Sequence, residues 1–244
     1  MEIFSLWMFM RKLSILLVLQ LIVVIKGQQN YYKANILDCF KAKRFVCNRA
    51  ESSCQSYLTF RSNPPYNSTL NIANLLASKA TVIASTNQLN SLNATIPNDT
   101  LVVIPVNCSC SSQYYQSNST YKMKSTKDTY FSVANNIYQG ISTCQAIMAQ
   151  NTIINTNLTV GFDLLVPLMC ACPTHKQAAS GVKYLLTYIT KEGDTLFSIA
   201  ELFHVKLRGV YDANKLLLDR VNVIYPLTPV LIPLITKPTK LEFQ

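Results

Sequence analysis

Three times in this chain a residue able to cap a helix is followed, at a nearly fixed distance, by a β-branched residue and a proline. The heads are Asn67, Asp128 and Asp194, and the ends are Ile104-Pro105, Val166-Pro167 and Ile232-Pro233. From head to the residue before proline, 104−67, 166−128 and 232−194 give 37, 38 and 38 residues. Between them lie two short apolar stripes. In the third copy Leu196, Ile199, Ala200 and Phe203 stand at i, i+3, i+4 and i+7, one face of a helix, and Leu207, Val210, Tyr211 and Asn214 repeat the offsets. The second copy has Tyr130, Val133, Ala134 and Ile137, then Cys144, Ile147, Met148 and Asn151; the first has Thr69, Ile72, Ala73 and Leu76, then Ala80, Ile83, Ala84 and Asn87. Asp128, Asp194 and the pair Asn67-Ser68 are expected to accept from free N–H groups at the helix starts. Strand-like residues flank each copy, so the pattern predicts β-α-α-β three times over. Units of about 50 residues cannot bury a generous core alone. They are expected to pack on one another and to be stapled.

Residues 1–27 read as a secretory signal peptide: Arg11 and Lys12 precede an apolar run at 13–25 that is short for a membrane span, and Gly27 offers a small residue for cleavage. The eight cysteines are Cys39, Cys47, Cys54, Cys108, Cys110, Cys144, Cys170 and Cys172. An even count behind a signal peptide predicts disulfides, and the residues alone leave every pairing open. Partners within a Cys-x-Cys segment are poorly placed to bond each other, so each must reach elsewhere. Zinc would prefer wider Cys spacing and a reducing compartment. Six Asn-x-Ser/Thr sequons, at Asn67, Asn93, Asn98, Asn107, Asn118 and Asn157, fit a glycosylated extracellular chain. The net charge of +10 is scattered, with Lys41, Lys43 and Arg44 the one tight group. That distribution argues against nucleic acid as a partner.

The repeat residues, above all 188–203, resemble the LysM module, a small glycan-binding βααβ unit. Together with the Cys-x-Cys segments at 108–110 and 170–172, they make the chain similar to the extracellular region of plant LysM receptor-like kinases, the chitin-receptor branch most of all. The resemblance implies an α+β fold of three tandem LysM modules, packed together and joined by disulfides. Its parts are a signal peptide (1–27), a Cys-rich leader (28–55), a degenerate first module (56–107), a second (119–169), a third (183–235) and a juxtamembrane stalk (236–244). The stretches 111–120 and 173–181 read as linkers. The resemblance also implies the pairings Cys39–Cys110, Cys47–Cys172 and Cys108–Cys170, leaving Cys54 with Cys144.

Catalytic chemistry is hard to assemble from this sequence. His175 and His204 belong to no ligand motif, and no two carboxylates are arranged to flank a glycosidic bond. No phosphate-binding glycine loop occurs, so a kinase would have to lie beyond this chain. No cofactor or metal is implied. In a βααβ unit the turn after the first strand lies beside the turn before the second, which forms a shallow groove. For the second module the resemblance points to Ser125, Thr126, Lys127, Asp128 and Thr129 on one turn and to Asn151, Thr152, Ile153, Ile154 and Asn155 on the other. Two consecutive isoleucines in a polar loop imply a cover, either a ligand or a neighbouring module. The leading expectation is a receptor ectodomain for chitin oligosaccharides, acting with a LysM co-receptor kinase at the plasma membrane. The alternatives are an ectodomain for lipo-chitooligosaccharides and a secreted chitin-binding lectin.

Overall fold

The computed structural model describes residues 44–48, 50–151, 158–215 and 224–239. Each repeat folds as β-α-α-β. The first comprises β1 (Ser53–Arg61), α1 (Thr69–Leu76), α2 (Ala80–Thr86) and β2 (Leu101–Ser111). The second has β3 (Tyr114–Lys122), α3 (Tyr130–Ser132) running into a π-helical turn (Val133–Ile137), α4 (Cys144–Gln150) and β4 (Asp163–Met169). After α5 (His175–Ala179), the third has β5 (Tyr184–Ile189), α6 (Leu196–Leu202), α7 (Leu207–Ala213) and β6 (Pro229–Leu234). The strand pairs of the three modules join into one six-stranded sheet, ordered β4-β3-β2-β1-β5-β6. Within each module the two strands are antiparallel, while β1 and β5 meet in parallel at Tyr57–Leu186 and Leu58–Thr187.

β1 belongs to two cores. Five successive residues, Ser56 to Phe60, are buried, although strand side chains alternate in direction. Leu58 and Phe60 join Ile72, Leu76, Ile83 and Ile104 in a core that continues into the second module. Tyr57 points the other way and packs with Leu186, Tyr188, Ile199 and Val210 of the third. A strand covered on both faces reads as a continuous apolar run, which is what Tyr57-Leu58-Thr59-Phe60 presents.

The 111–120 stretch is not a linker. It turns at Ser112-Gln113, with Ser112 left-handed (φ 57°), and most of it is strand β3. Its polarity hid the strand because its inward hydroxyls have carbonyl partners. Ser119 donates to the carbonyl of Leu75, and the Tyr138 hydroxyl donates to the same oxygen at 3.2 Å. The 173–181 stretch likewise contains α5, opened by a capping box between Thr174 and Gln177. Of the leader, Phe45 is buried, and its carbonyl accepts from Tyr115 N at 2.8 Å beside a Val46–Tyr114 bridge.

One asparagine ties each module shut. Asn87, Asn151 and Asn214 end the second helices and are buried. Asn214 Nδ2 donates to the carbonyls of Val210 and Leu231, both at 2.7 Å, and its Oδ1 accepts from Leu231 N at 2.9 Å. Asn87 makes the same three bonds to Ile83 and Val103, and Asn151 to Ile147 and Leu165. The repeated prolines sit at Pro105, Pro167 and Pro233. β4 and β6 are sheet edges, and β2 meets β3 only at Ser109, Cys110 and Ser111, so each proline lies where one side of the strand lacks a ladder partner.

Three disulfides join described residues: Cys47–Cys110, Cys54–Cys172 and Cys108–Cys170, each with a Cα–Cα distance of 5.8 Å. Three expected pairs are therefore corrected. Cys110 bonds Cys47, not Cys39, because Cys47 N donates to Gln113 O at 2.9 Å and sits against the β2–β3 turn. Cys172 bonds Cys54, not Cys47, because β1 aligns Cys54 opposite Cys108, next to the 170–172 segment. Cys54 is consequently not joined to Cys144; Cys144 is disulfide-bonded, and Cys39 lies outside the described residues. The sulfurs of Cys54, Cys108 and Cys172 lie within 4.8 Å of one another, all committed to disulfides.

Non-reducing peptide mapping is expected to recover Cys54 linked to Cys172 and Cys47 linked to Cys110; recovery of a Cys47–Cys172 peptide would contradict this arrangement. Asn214→Ala leaves the N–H and carbonyl of Leu231 unpaired and is expected to cost about 1–3 kcal/mol, measured by denaturant unfolding with wild type in parallel.

Candidate functional site

The turns after β3 and β5 are built alike. Asp128 Oδ2 accepts from Lys124 N at 3.0 Å, Ser125 N at 3.1 Å and the Tyr121 hydroxyl at 3.2 Å. Asp194 Oδ2 accepts from Lys191 N at 2.8 Å and the Tyr188 hydroxyl at 2.7 Å. Neither aspartate caps a helix. That role falls one residue later, to Thr129 and Thr195, each in a capping box with the serine three residues on. In the first module Ser68, not Asn67, is the cap. The aspartate instead closes the turn that leads into the threonine cap.

This arrangement separates the expected site residues. The side chains of Asp128, Thr129 and Asn151 are engaged within the module. Asn151 is buried as well, so its amide ties α4 to β4 and offers nothing outward. Ser125 Oγ accepts from Lys127 N at 3.1 Å. Thr126 and Lys127 are exposed. Thr152, Ile153, Ile154 and Asn155 lie outside the described residues, as does the sequon at Asn157. Of the closing segment, the described residues just before β4 do meet the end of β3. Met123 N donates to Phe162 O and Gly161 N to Met123 O, both at 2.8 Å. This continues the β3–β4 ladder one step past the strand ends, and Val160, next to Gly161, is exposed.

Two residues here, Lys124 at the start of the turn and Tyr66 of the first module, were not among the expected site residues. Lys124 Nζ donates to the Tyr66 hydroxyl at 3.1 Å and lies 5.2 Å from the centre of its ring. Tyr66, Asn71 and Leu75 of the first module and Thr120, Tyr121 and Lys124 of the second line a cleft of about 290 Å³. Tyr66 follows the cis Pro64-Pro65 bond, where the first module departs from the repeat, and that departure was its one sequence signal. Of the sequons, Asn93, Asn98, Asn107 and Asn118 are exposed and Asn67 is half-buried.

Arg61 joins all three modules at the same end of the sheet. Its Nη1 lies 3.4 Å from Asp99 Oδ1 and its Nη2 donates to the Tyr188 hydroxyl at 3.3 Å. Its backbone N–H and carbonyl are held by Gln139, at 3.0 and 2.7 Å. Gln139 emerges from the π-helical turn with φ 51°, and Gly140 follows with φ 82°. A Cβ on Gly140 would stand 3.3 Å from Leu227 Cβ and 3.4 Å from Ile189 Cγ2, so glycine lets the second and third modules approach. Burial, then the Asp194 carboxylate, push the Tyr188 hydroxyl above the ordinary tyrosine range; burial, then Asp128, do the same for Tyr121.

The class that fold and repeats define is an array of three LysM modules. Residues 53–111 match the NFP/LYK LysM1 domain, 114–169 the LYK3/4/5 LysM2 domain and 184–234 the LYK4/5 LysM3 domain. The chain belongs to the plant LysM receptor-kinase ectodomains of the LYK/NFP family. It is 47% identical to Protein LYK5 of Arabidopsis thaliana over 227 residues, 88% of this chain and 34% of that protein. It is 30% identical to LysM domain-containing GPI-anchored protein 2 of Arabidopsis thaliana over 190 residues, 72% of this chain and 53% of that one. It thus spans about a third of the length of LYK5. Among solved structures, the ectodomain of a receptor like kinase superposes with a TM-score of 0.61 and the LYK3 ectodomain with 0.58. Each is 20% identical, over 74% of this chain and 91% and 89% of theirs. No helix among the described residues is long and apolar enough to cross a membrane.

Tyr188 is neutral in the fold at ordinary pH and donates to Asp194. Because its folded pKa is raised, its contribution is complete below about pH 10, the unfolded value, and is lost as pH climbs through the higher folded value. Tyr188→Phe is expected to lower stability by about 1 kcal/mol near neutrality and to make the alkaline decline shallower, measured by urea unfolding between pH 7 and 11.

Proposed function

We propose that this chain is the extracellular glycan-binding region of a plant cell-surface receptor for chitin oligosaccharides, with the groove of the second module as the primary site. The observation that supports this reading is the pair of backbone bonds from Met123 to Gly161 and Phe162, which brings the segment that holds exposed Val160 to the end of β3, where the turn with exposed Thr126 and Lys127 departs. Backbone groups and hydroxyls on one side suit an N-acetyl amide, and an apolar patch on the other suits its methyl group. Ile153 and Ile154 extend that patch in sequence. The kinship with LYK5 supports a receptor role, with a kinase and membrane anchor beyond this chain, an extracellular location and a LysM co-receptor kinase as partner. Within this reading the chain itself binds and does not catalyse.

Titration calorimetry with soluble N-acetylglucosamine oligomers, run beside a melting curve, tests the site. Val160→Asp and Ile154→Asp are each expected to weaken binding about tenfold, since a buried aliphatic side chain is worth roughly 1.5–3 kcal/mol, while the melting temperature stays near wild type. The same charge at exposed Phe197 of the third module is expected to leave affinity unchanged. Full affinity in well-folded Val160→Asp and Ile154→Asp proteins would remove the groove. An acylated oligomer titrated in parallel separates a chitin receptor from one tuned to lipo-chitooligosaccharides.

A further inference from the structure

The parallel pairing of β1 with β5 has a consequence for binding. It brings the turn after β1 next to the turn after β5, with the closing turns of the same two modules beside them. Between them is a cleft of about 380 Å³, larger than the one beside Tyr66. Its lining is mostly polar, with an apolar part supplied by Leu101, Ile189, Pro226 and Leu227. The second module closes it with Asn135 and Gln139. The charges lining it are Arg61 and Lys191 against Asp99 and Glu192, so the sum is zero, and Arg61 is already paired with Asp99. Such a lining favours a neutral ligand over an ion. The amide of Asn135 makes no side-chain hydrogen bond among the described residues, and neither does that of Asn98 on the rim. Asn98 is exposed and heads an Asn-Asp-Thr sequon, so glycosylation there would start a sugar chain at the mouth of the cleft.

We infer that this inter-module cleft is a second saccharide site, separate from the groove of the second module, which takes one N-acetylated neutral sugar residue. The apolar side chains receive the acetyl methyl and a ring face, Asn135 bonds the acetamide, and the balanced charges select against anionic sugars. The volume lies at the small end of ligand pockets, about 300–1,000 Å³, and suits a single ring rather than a long chain. The sugar has two sources: the first residue of a glycan on Asn98, or the end of a free oligosaccharide. The first would make the glycan a wedge between the first and third modules; the second would add a binding point to the array. The inference does not depend on the primary groove.

Methyl NMR of secreted protein labelled at leucine, isoleucine and valine distinguishes the sources. In one arm the glycans are trimmed to a single N-acetylglucosamine, and wild type is compared with Asn98→Gln. Nuclear Overhauser contacts from the acetyl methyl to Leu101, Ile189 or Leu227 in wild type alone establish the internal source. In the other arm Asn98→Gln is titrated with di-N-acetylchitobiose and with cellobiose, which lacks the acetamides. Saturable shifts of the same three methyls, at least fivefold weaker with cellobiose and weakened a further two- to tenfold by Asn135→Ala, establish the external source. Equal response to both disaccharides, shifts confined to Val160, or no contact and no shift in either arm would overturn the inference. Val160→Asp added to the second arm separates its failure from that of the primary groove.

Discussion

Strand β1 is the constraint on which the whole arrangement rests. Its odd and even side chains serve different cores, Leu58 and Phe60 with the helices of the first module and Tyr57 with those of the third. Neither core closes without it. A lone module of this size would expose one face of its sheet, and the exposed apolar area would exceed what so short a chain can offset. The solution is to merge three two-stranded sheets into one, so that a face left open by one repeat is covered by another. The second module joins differently, through the β2–β3 turn and the contact of α1 with β3 at Leu75, Ser119 and Tyr138.

Polar groups then fix the register that apolar packing leaves loose. In every module an asparagine at the end of the second helix satisfies a carbonyl of its own helix and both backbone groups of one residue on the closing strand. Three buried bonds from one side chain are stabilising only if all are made, because an unpaired N–H in such a place costs as much as a good bond contributes. The disulfides act on the unfolded chain instead. Their separations of 62, 63 and 118 residues imply about 4–5 kcal/mol each in the chain-entropy model. Arg61 then links the far end of the sheet through Asp99, Tyr188 and Gln139.

The repeated βααβ order was legible because it rests on local periodicity, and the apolar stripes at Ile72, Val133 and Ile199 do face cores. What escaped the sequence is tertiary. Strand β3 looked like a linker because Ser117, Asn118 and Ser119 are polar, and only the carbonyl of Leu75 explains why Ser119 is inside. The disulfide partners depend on strand register, which no spacing of cysteines encodes; aligning Cys54 with Cys108 required β1 to be known in three dimensions. Asp128 and Asp194 were expected to cap helices, but their hydrogen bonds run backward into the turn and to Tyr121 and Tyr188, and the threonines that follow them do the capping. Asn151 carried a strong local signal as a repeated residue, and its position suggested a groove when its amide belongs to the interior. The cleft beside Leu227 had no signature at all, because it exists only where three modules meet.

Strand direction gives the molecule a polarity. β1, β3 and β5 all run the same way, so every turn that follows a first strand opens along one edge of the sheet. The bridges of Cys54, Cys108, Cys110, Cys170 and Cys172 gather at the opposite edge, where β1 begins and β2 and β4 end. β6 descends to that same covalently fastened edge and leaves the sheet at Leu234, paired with Tyr184. Whatever is attached after residue 234 therefore departs from the sealed side, and the adaptable turns are presented away from it like fingertips from a clenched wrist.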